Sequence, residues 1–235
     1  MCGRFFLNTL PGVIEGTFEV RVEGPFRELL EPRFNIAPGQ RVAIVRHGRN
    51  GRELAGATWG LIPAWSDDPT FANRTVNARS ETAWEKPAFR EAAHRRRCLI
   101  PSNGFYEWKQ GPGGKQPLAM SLSERGDDRA LHAMAGLWER WTNRQRGEER
   151  ETCTILTCAA NEHMEGIHPR MPVIAPRDRW QTWLTGSDDE ARSVCVPYPS
   201  EDWRHHPVST RVNSVRNDGP ELLEPVIDES GGLFG

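Results

Sequence analysis

Short runs of strand-forming residues, separated by glycine, proline and polar turns, dominate the 235-residue sequence. Two of the clearest turn signals are Gly111–Gly114 and Gly126–Asp128. The predicted strands are Val42–Val45, Val76–Arg79, Cys98–Ile100, Gly104–Lys109, Leu118–Leu122, Ala133–Trp138, Thr152–Thr157 and Val208–Val212. Strands this short, joined by tight turns, predict a curved and mostly antiparallel sheet.

Helical character is limited to a few segments. The predicted helices are Pro25–Leu30, Lys86–His94 and Pro176–Leu184. We expect them to pack on the outside of the sheet, which gives an α+β fold class. No break in composition favours two domains over one compact domain. Arg144–Glu151 is expected to form a charged hairpin tip, and residues 227–235 a flexible C-terminal tail.

Charge and cysteine content narrow the class of protein. The formal net charge is −2, so the molecule as a whole has no positive electrostatic field that would indicate binding of nucleic acid. The cysteines show no Cys-x-x-Cys pair, which indicates neither a zinc site nor a disulfide framework. The chain shows no secretory leader and no apolar stretch near the ~20 residues of a membrane helix. We therefore expect a cytoplasmic protein without a membrane anchor.

A cysteine in the second position is the most informative chemical feature. Methionine aminopeptidases accept a small residue behind Met1, and removal of Met1 would leave Cys2 with a free amine beside its thiol. Reference pKa values of ~8 for the amine and ~8.5 for the thiol make both reactive near neutrality. The amine can form a Schiff base with an aldehyde, and the thiol can then close a thiazolidine ring. An electrophilic carbonyl is thus the first candidate substrate, unless Met1 stays and blocks the amine.

Asn77 and Arg79 lie two residues apart in the predicted strand Val76–Arg79. The period of a strand puts both side chains on one face. An amide beside a guanidinium suits a sugar and its phosphate. A solvated polar face is the alternative interpretation.

Glu107 lies within a strand of aromatic residues, on the same face as Phe105. A carboxyl group in apolar surroundings holds a proton more readily near neutral pH, and it could move protons during Schiff-base formation. The alternative is a glutamate on an edge strand that pairs with Lys109.

His168 and Arg170 lie in a proline-bounded segment, Ile167–Pro172. Proline restricts the backbone, so this loop would fix the direction of the imidazole. An imidazole that titrates near neutral pH is a natural general acid or base. Without such surroundings, a lone histidine is by default structural or exposed.

Arginines and tryptophans together suggest a surface for single-stranded nucleic acid, where phosphates meet cations and bases stack on rings. Arg4 and Arg95–Arg97 add local positive charge. The candidate stacking rings are Trp59, Trp65, Trp84 and Trp108. Tryptophans are also common in hydrophobic cores, which leaves that alternative open.

Six motifs occur in one order along the chain: Met1–Phe5, Phe34–Pro38, Trp59–Pro63, Asn77–Thr82, Gly104–Trp108 and His168–Pro172. In this combination the chain resembles the SRAP (SOS response-associated peptidase) family from Cys2 to about Val226. The resemblance implies a barrel-like α+β fold and covalent capture of abasic sites in single-stranded DNA, through a thiazolidine between Cys2 and the ring-opened deoxyribose. It further implies a monomer that acts in the DNA damage response without metal or cofactor and associates with the nucleoid when bound to DNA.

The family pattern also implies roles for individual residues. Cys2 would be the nucleophile, Asn77 would position the abasic sugar and the reacting terminus, Glu107 would transfer protons, and His168 would assist ring opening and lyase steps. The candidates for DNA contact are Arg4, Arg79, Thr157, Trp65 and Arg170. One loop departs from the pattern: where some relatives have paired tryptophans, this chain has Pro63-Ala64-Trp65-Ser66, so Trp65 alone is expected to supply a ring there.

Two other classes of function remain open. An N-terminal-nucleophile hydrolase, such as a glutamine amidohydrolase or a peptidase, also begins Met-Cys-Gly, although those chains continue differently after Gly3. Release of ammonia from glutamine or cleavage of added peptides would indicate this class. A noncovalent single-strand binder is the second alternative, and boiling in detergent would strip all DNA from such a protein.

Overall fold

The elements of the fold are defined in a computed structural model that describes residues 2–21, 24–111, 113–123, 130–143 and 146–226. The strands are β1 Phe5–Leu7, β2 Arg33–Ile36, β3 Arg41–Gly48, β4 Gly51–Trp59, β5 Asn77–Arg79, β6 Arg97–Ser102, β7 Gly104–Gly111, β8 Gly114–Leu122, β9 His132–Asn143, β10 Glu148–Ala159, β11 Arg170–Pro172, β12 Ile174–Ala175 and β13 Trp203–Pro207. The α-helices are α1 Pro11–Phe18, α2 Arg90–Arg95, α3 Glu162–Glu165, α4 Trp180–Thr185 and α5 Asp188–Arg192. The 3-10 helices are Gly24–Leu30, Pro69–Arg74, Arg177–Arg179, Ser200–Asp202, Thr210–Asn213 and Pro220–Leu223.

Five strands close into a barrel, which confirms the predicted curved sheet. β10 pairs with β9, and the closure continues through β6, β3 and β4 back to β10. The pairing of β10 with β4 is parallel and the others are antiparallel, so the barrel is mixed. Two short strands lie beside the barrel, because each pairs with β10. The pairing of β5 with β10 is parallel, and the pairing of β11 with β10 is antiparallel. α4 packs outside, where Trp183 Nε1 donates a hydrogen bond to Cys98 O of β6 at 2.7 Å.

A second, antiparallel sheet has the strand order β13-β8-β7-β1-β2. β7, which carries Glu107, lies between β1 and β8, and β1 pairs with its first residues, Gly104 and Phe105. Glu107 is 5% exposed, which does not fit the alternative of a glutamate at an exposed edge. β7 begins at Gly104, where a Cβ would collide with Met120 O of β8 and the ring of Phe6 of β1. Glycine therefore permits the close approach of the three strands. Within the described ranges, no helix has the length and apolar character needed to cross a bilayer.

One predicted strand is wrong. Val208–Val212 contains an isolated bridge at Val208 and the start of the 3-10 helix Thr210–Asn213. Ser209 Oγ accepts a hydrogen bond from Arg211 N at 3.3 Å, and such capping starts a helical turn instead of an extended segment. The strand of this region is β13, which precedes Val208.

The predicted helices and the charged hairpin tip need adjustment. Pro25–Leu30 lies in a 3-10 helix, and Pro176–Leu184 is a 3-10 turn followed by α4. The helix predicted over Lys86–His94 begins only at Arg90, since a residue before proline, here Lys86, disfavours helical geometry. In the predicted tip Arg144–Glu151, the first two residues lie outside the described ranges and the last four belong to β10. The Gly126–Asp128 turn and the 227–235 tail lie outside the described residues.

Acid is expected to destabilise the fold through His132 of β9. Burial lowers the pKa of this imidazole from 6.5 to about 4. Below pH 6.5 the unfolded chain therefore binds a proton that the folded chain does not. The stability contributed by neutral His132 is complete above pH 6.5 and falls as the pH approaches 4, by about 2 kcal/mol between pH 7 and pH 5.

Urea unfolding of the parent and of His132→Gln at the two pH values measures this contribution. The variant keeps a neutral polar side chain near Ala130 O, which lies 3.1 Å from Nδ1 of His132. The loss of stability between pH 7 and pH 5 should be smaller in the variant. An equal loss in both proteins would contradict a buried, neutral His132.

Candidate active site around Cys2

Cys2 lies in the main hydrophobic core, with none of its surface exposed. Its thiol donates a hydrogen bond to Arg4 O at 3.8 Å. Burial, and after it the negative charge of Glu107, raise the pKa of the Cys2 thiol well above its ordinary value. The thiol is therefore protonated at neutral pH, and a base must take its proton before the sulfur can react.

Asn77 fixes the backbone of Cys2. The parallel pairing of β5 with β10 places Asn77 opposite Ile155, at the edge of the barrel. From there its Nδ2 donates a hydrogen bond to Cys2 O at 2.7 Å. Its Oδ1 is buried and accepts no hydrogen bond within the described chain. A buried acceptor without a donor is costly, and here it offers a binding position beside Cys2.

Glu107 is a buried carboxylate, only 5% exposed. It lies on β7 with Phe105 on the same face, and its Oε1 is 3.4 Å from Trp108 N. Its charge acts on the Cys2 thiol strongly enough to contribute to the raised pKa of that group. The sequence-based expectation that Glu107 shares a site with Cys2 is consistent with this arrangement.

His168 lies directly before β11, in a loop held to β10. Arg170 N donates a hydrogen bond to His168 Nδ1 at 3.0 Å, and Arg170 O is 3.1 Å from the same nitrogen. The neutral imidazole accepts the first bond, and the protonated imidazole could donate to Arg170 O instead. Both contacts are to Nδ1 and hold that edge of the ring against the backbone of Arg170, which fixes the direction of the imidazole.

Arg170 connects this loop to the strands of the site. Its guanidinium forms a two-pronged ion pair with Glu81, at 2.6 and 2.8 Å, and donates to Thr157 O at 2.6 Å. Hydrogen bonding to Arg170 lowers the pKa of Glu81. Thr157 itself is fully buried, opposite Arg79 of β5 and Pro172 of β11. Arg170 and Thr157 thus act as supports in this structure.

Arg4 is also held by the protein. Its Nη1 donates to Asn35 Oδ1 at 2.6 Å and to Val212 O at 2.7 Å. Asn35 is 1% exposed, and its Nδ2 donates to three backbone oxygens of the 212–217 segment. Sequence reasoning included Asn35 in a motif without giving it a role. It positions Arg4 and anchors the C-terminal segment.

Arg79 and Trp65 are the exposed members of the predicted set. Arg79 is exposed on β5, on the same face as Asn77. The Trp65 side chain is 56% exposed and is oriented by a hydrogen bond from Nε1 to Pro87 O at 3.2 Å and by edge contact with Phe71. An oriented, exposed ring is suited to stacking.

Other residues suggested for stacking or charge have structural positions. Trp59 and Trp84 are buried in the core, 1% and 3% exposed. Arg96 pairs with Glu139 at 2.8 Å, and the buried Arg97 donates to Trp183 O at 2.7 Å. The Arg95–Arg97 run is therefore not an open cationic surface.

Comparison with known proteins identifies the family. The family model described as SOS response associated peptidase (SRAP) matches residues 1–215. The chain belongs to the SRAP family. The family model thus confirms the resemblance seen in the sequence, over nearly all of the range from Cys2 to about Val226.

Several SRAP relatives carry a common description. The abasic site processing protein YoaM of Bacillus subtilis is 41% identical over 229 residues, 95% of this chain and 98% of the relative. The abasic site processing protein YedK of Escherichia coli is 31% identical over 234 residues, 96% of this chain and 100% of the relative. The abasic site processing protein HMCES of Gallus gallus is 36% identical over 195 residues, 74% of this chain and 58% of that longer protein.

A solved structure supports the SRAP fold. The crystal structure of a protein from Bacteroides thetaiotaomicron is 25% identical and superposes with a TM-score of 0.85, covering 96% of this chain and 100% of that one. The α+β, barrel-based fold class expected from the sequence is thus confirmed. The described residues contain no group of three His, Cys, Asp or Glu side chains arranged to hold a metal ion.

Proposed function

We propose that this SRAP protein processes abasic sites in single-stranded DNA by covalent capture, with Cys2 as the N-terminal residue after removal of Met1. The observation that carries the proposal is the contact of Cys2 with Asn77 and its electrostatic coupling to the buried Glu107. The description of the relatives as abasic site processing proteins supports the same substrate.

The proposed reaction loses one water. The Cys2 amine attacks C1′ of the ring-opened deoxyribose and gives a carbinolamine. The Glu107 carboxylate takes a proton from the carbinolamine nitrogen and gives it to the hydroxyl, which leaves as water, and an imine forms. The sulfur then bonds to the imine carbon, its proton passes to the nitrogen, and a thiazolidine results.

The protonated thiol favours the amine as the first nucleophile. Burial and the charge of Glu107 hold the pKa of the Cys2 thiol above neutral pH. In an N-terminal-nucleophile hydrolase the α-amine takes the proton of the thiol, and a raised thiol pKa makes that transfer harder. The arrangement therefore supports attack by the amine, with the sulfur taking part only at ring closure.

His168 and Asn77 complete the proposed chemistry. Asn77 Oδ1, a buried acceptor next to the Cys2 backbone, would receive an N–H of the reacting amine or a sugar hydroxyl. His168, oriented by Arg170, would assist opening of the sugar ring and the proton transfers of a competing lyase reaction. The exposed Arg79 and Trp65 would contact a phosphate and a base of the strand, and Arg contacts make initial binding weaken with salt.

Intact-protein mass spectrometry tests the proposal. The protein is incubated with a single-stranded oligonucleotide that has one abasic site. We expect a new species with the mass of the protein without Met1 plus the oligonucleotide minus one water. The same spectrum reports whether Met1 has been removed.

An undamaged oligonucleotide is the matched control and should give no new species. Processed protein that forms no adduct with the abasic strand would contradict covalent capture. Assays for glutamine hydrolysis and peptide cleavage would then test the hydrolase alternative. DNA that binds but is lost completely on boiling in detergent would indicate a noncovalent binder.

A further inference from the structure

Glu81 is a charged residue beside the candidate site that none of the roles described above uses. It lies in the turn that follows β5, two residues beyond Arg79. Its carboxylate accepts both prongs of the Arg170 guanidinium, from Nη1 at 2.6 Å and from Nη2 at 2.8 Å. A two-pronged contact fixes the guanidinium in direction as well as in distance. Glu81 therefore determines where the side chain of Arg170 points.

The ion pair of Glu81 with Arg170 crosses β10. β5 and β11 lie along opposite edges of β10, because both strands pair with it at Thr157. Thr157 O accepts a hydrogen bond from each side, from Ser80 N at 2.9 Å and from Arg170 Nη2 at 2.6 Å. The ion pair makes the same connection through side chains. The turn after β5 is thus tied to the start of β11.

β5 and β11 carry different halves of the candidate site. On β5, Asn77 Nδ2 donates to Cys2 O at 2.7 Å. At the start of β11, Arg170 N donates to His168 Nδ1 at 3.0 Å, so the direction of the imidazole depends on where the Arg170 backbone lies. The ion pair of Glu81 with Arg170 therefore joins the half that holds Cys2 to the half that holds His168.

Glu81 is ionised at neutral pH. Hydrogen bonding to Arg170 lowers the pKa of its carboxyl group, and the charge of Arg79 acts in the same direction. An ion pair that is partly open to solvent contributes little to the free energy of unfolding. The geometry that the pair imposes on Arg170 is therefore a larger effect than its contribution to stability.

We propose that Glu81 is a positioning residue for the capture of abasic sites, and that it holds the imidazole of His168 in place relative to Cys2 by fixing Arg170. Glu81 acts through Arg170 and not on the reacting atoms. This inference rests on the proposed function, in which His168 assists opening of the sugar ring. It extends the site to a carboxylate on the far side of β10 from the His168 loop.

The rate of adduct formation at saturating abasic strand tests this inference. Glu81→Gln removes one of the two prongs, because an amide nitrogen cannot accept a hydrogen bond from Arg170. We expect the rate to fall about tenfold, which is less than the ~100-fold that a displacement of ~1 Å can cost. His168→Gln removes the imidazole itself and should slow capture about 100-fold.

The double variant distinguishes positioning from a general disturbance of the site. If Glu81 acts through His168, then Glu81→Gln/His168→Gln should capture at the rate of His168→Gln alone, since no imidazole is left to position. A further tenfold loss in the double variant would show independent effects and overturn the inference. Capture at the parent rate by either single variant would overturn it as well.

Strand affinity separates positioning from DNA binding. The probe is a single strand with one tetrahydrofuran site, which lacks the hydroxyl at C1′ and cannot react. In fluorescence anisotropy, Glu81→Gln should bind this probe at least as tightly as the parent does, because the change removes a negative charge. A capture rate that returns to the parent value as the concentration of abasic strand is raised would assign the effect to binding and overturn the inference.

Glu53→Gln is the matched control. Glu53 pairs with Arg46 at 2.6 Å in the β3–β4 hairpin, and their side-chain exposures of 46% and 16% match the 50% and 15% of Glu81 and Arg170. This variant should capture at the parent rate, and a loss as large as that of Glu81→Gln would count against positioning. The proposed function fails by a separate result, the absence of a covalent adduct between the parent and an abasic strand.

Discussion

Replacement of Cys2 with alanine is expected to abolish the stable adduct with an abasic strand. Alanine keeps a free α-amine after Met1 removal, so a Schiff base can still form, but no sulfur is present to close the ring. Mass spectrometry after boiling in detergent should therefore show only unmodified protein. In the same assay the parent should retain the oligonucleotide.

A reductive trap separates the two chemical steps. Borohydride added during incubation should convert the Schiff base of Cys2→Ala into a permanent amine link. Without borohydride, cleavage of the DNA strand should compete with Schiff-base formation. Cys195→Ala is the control, because Cys195 is the one cysteine that is not fully buried. A stable adduct formed by Cys2→Ala without borohydride would refute the thiazolidine.

The strands were predictable because their signals are local. Alternating side chains and turn residues located the start of β7 at Gly104 and the end of β8 at Leu122, although both strands extend further toward the hairpin turn than predicted. The closure of the barrel was not encoded in such a local signal. It depends on the parallel pairing of β10 with β4, between segments that are distant in sequence.

The site was predictable in its members but not in its contacts. The motifs identified Asn77 and Arg170, yet no pattern relates Arg170 to Glu81, 89 residues away, or Arg4 to Val212 O, 208 residues away. Charged side chains pair with whatever the fold brings near, and only the folded chain determines that. Arg4 and Arg170, which the sequence suggested for DNA contact, are found in hydrogen-bonding networks of the protein, and their contact with DNA stays a prediction.

The effect of Glu107 on Cys2 also required the fold. Burial of Glu107 was one of two interpretations of its sequence context, and the 5% exposure of Glu107 on a strand between β1 and β8 favours it over an exposed edge. The consequence for Cys2 follows from burial of both groups. A negative charge that is removed from water acts on a nearby thiol with little screening.

Glu107→Gln is expected to slow covalent capture about 100-fold, the usual scale for loss of a positioned proton-transfer group. Glutamine matches the shape of glutamate, so packing on β7 is retained. The measurement is the rate of adduct formation at saturating abasic strand. Glu139→Gln is the matched control, because Glu139 is also 5% exposed but pairs with Arg96 in the barrel. It should capture at the parent rate.

A second readout distinguishes proton transfer from simple loss of structure. The charge of Glu107 raises the pKa of the Cys2 thiol, so its removal should lower that pKa and increase the thiolate fraction. Alkylation of Cys2 by iodoacetamide at neutral pH should therefore become faster in Glu107→Gln while capture becomes slower. A disturbed site would accelerate alkylation of the other buried cysteines as well. Capture at the parent rate would contradict proton transfer by Glu107, and slower alkylation of Cys2 would contradict the effect of Glu107 on the thiol pKa.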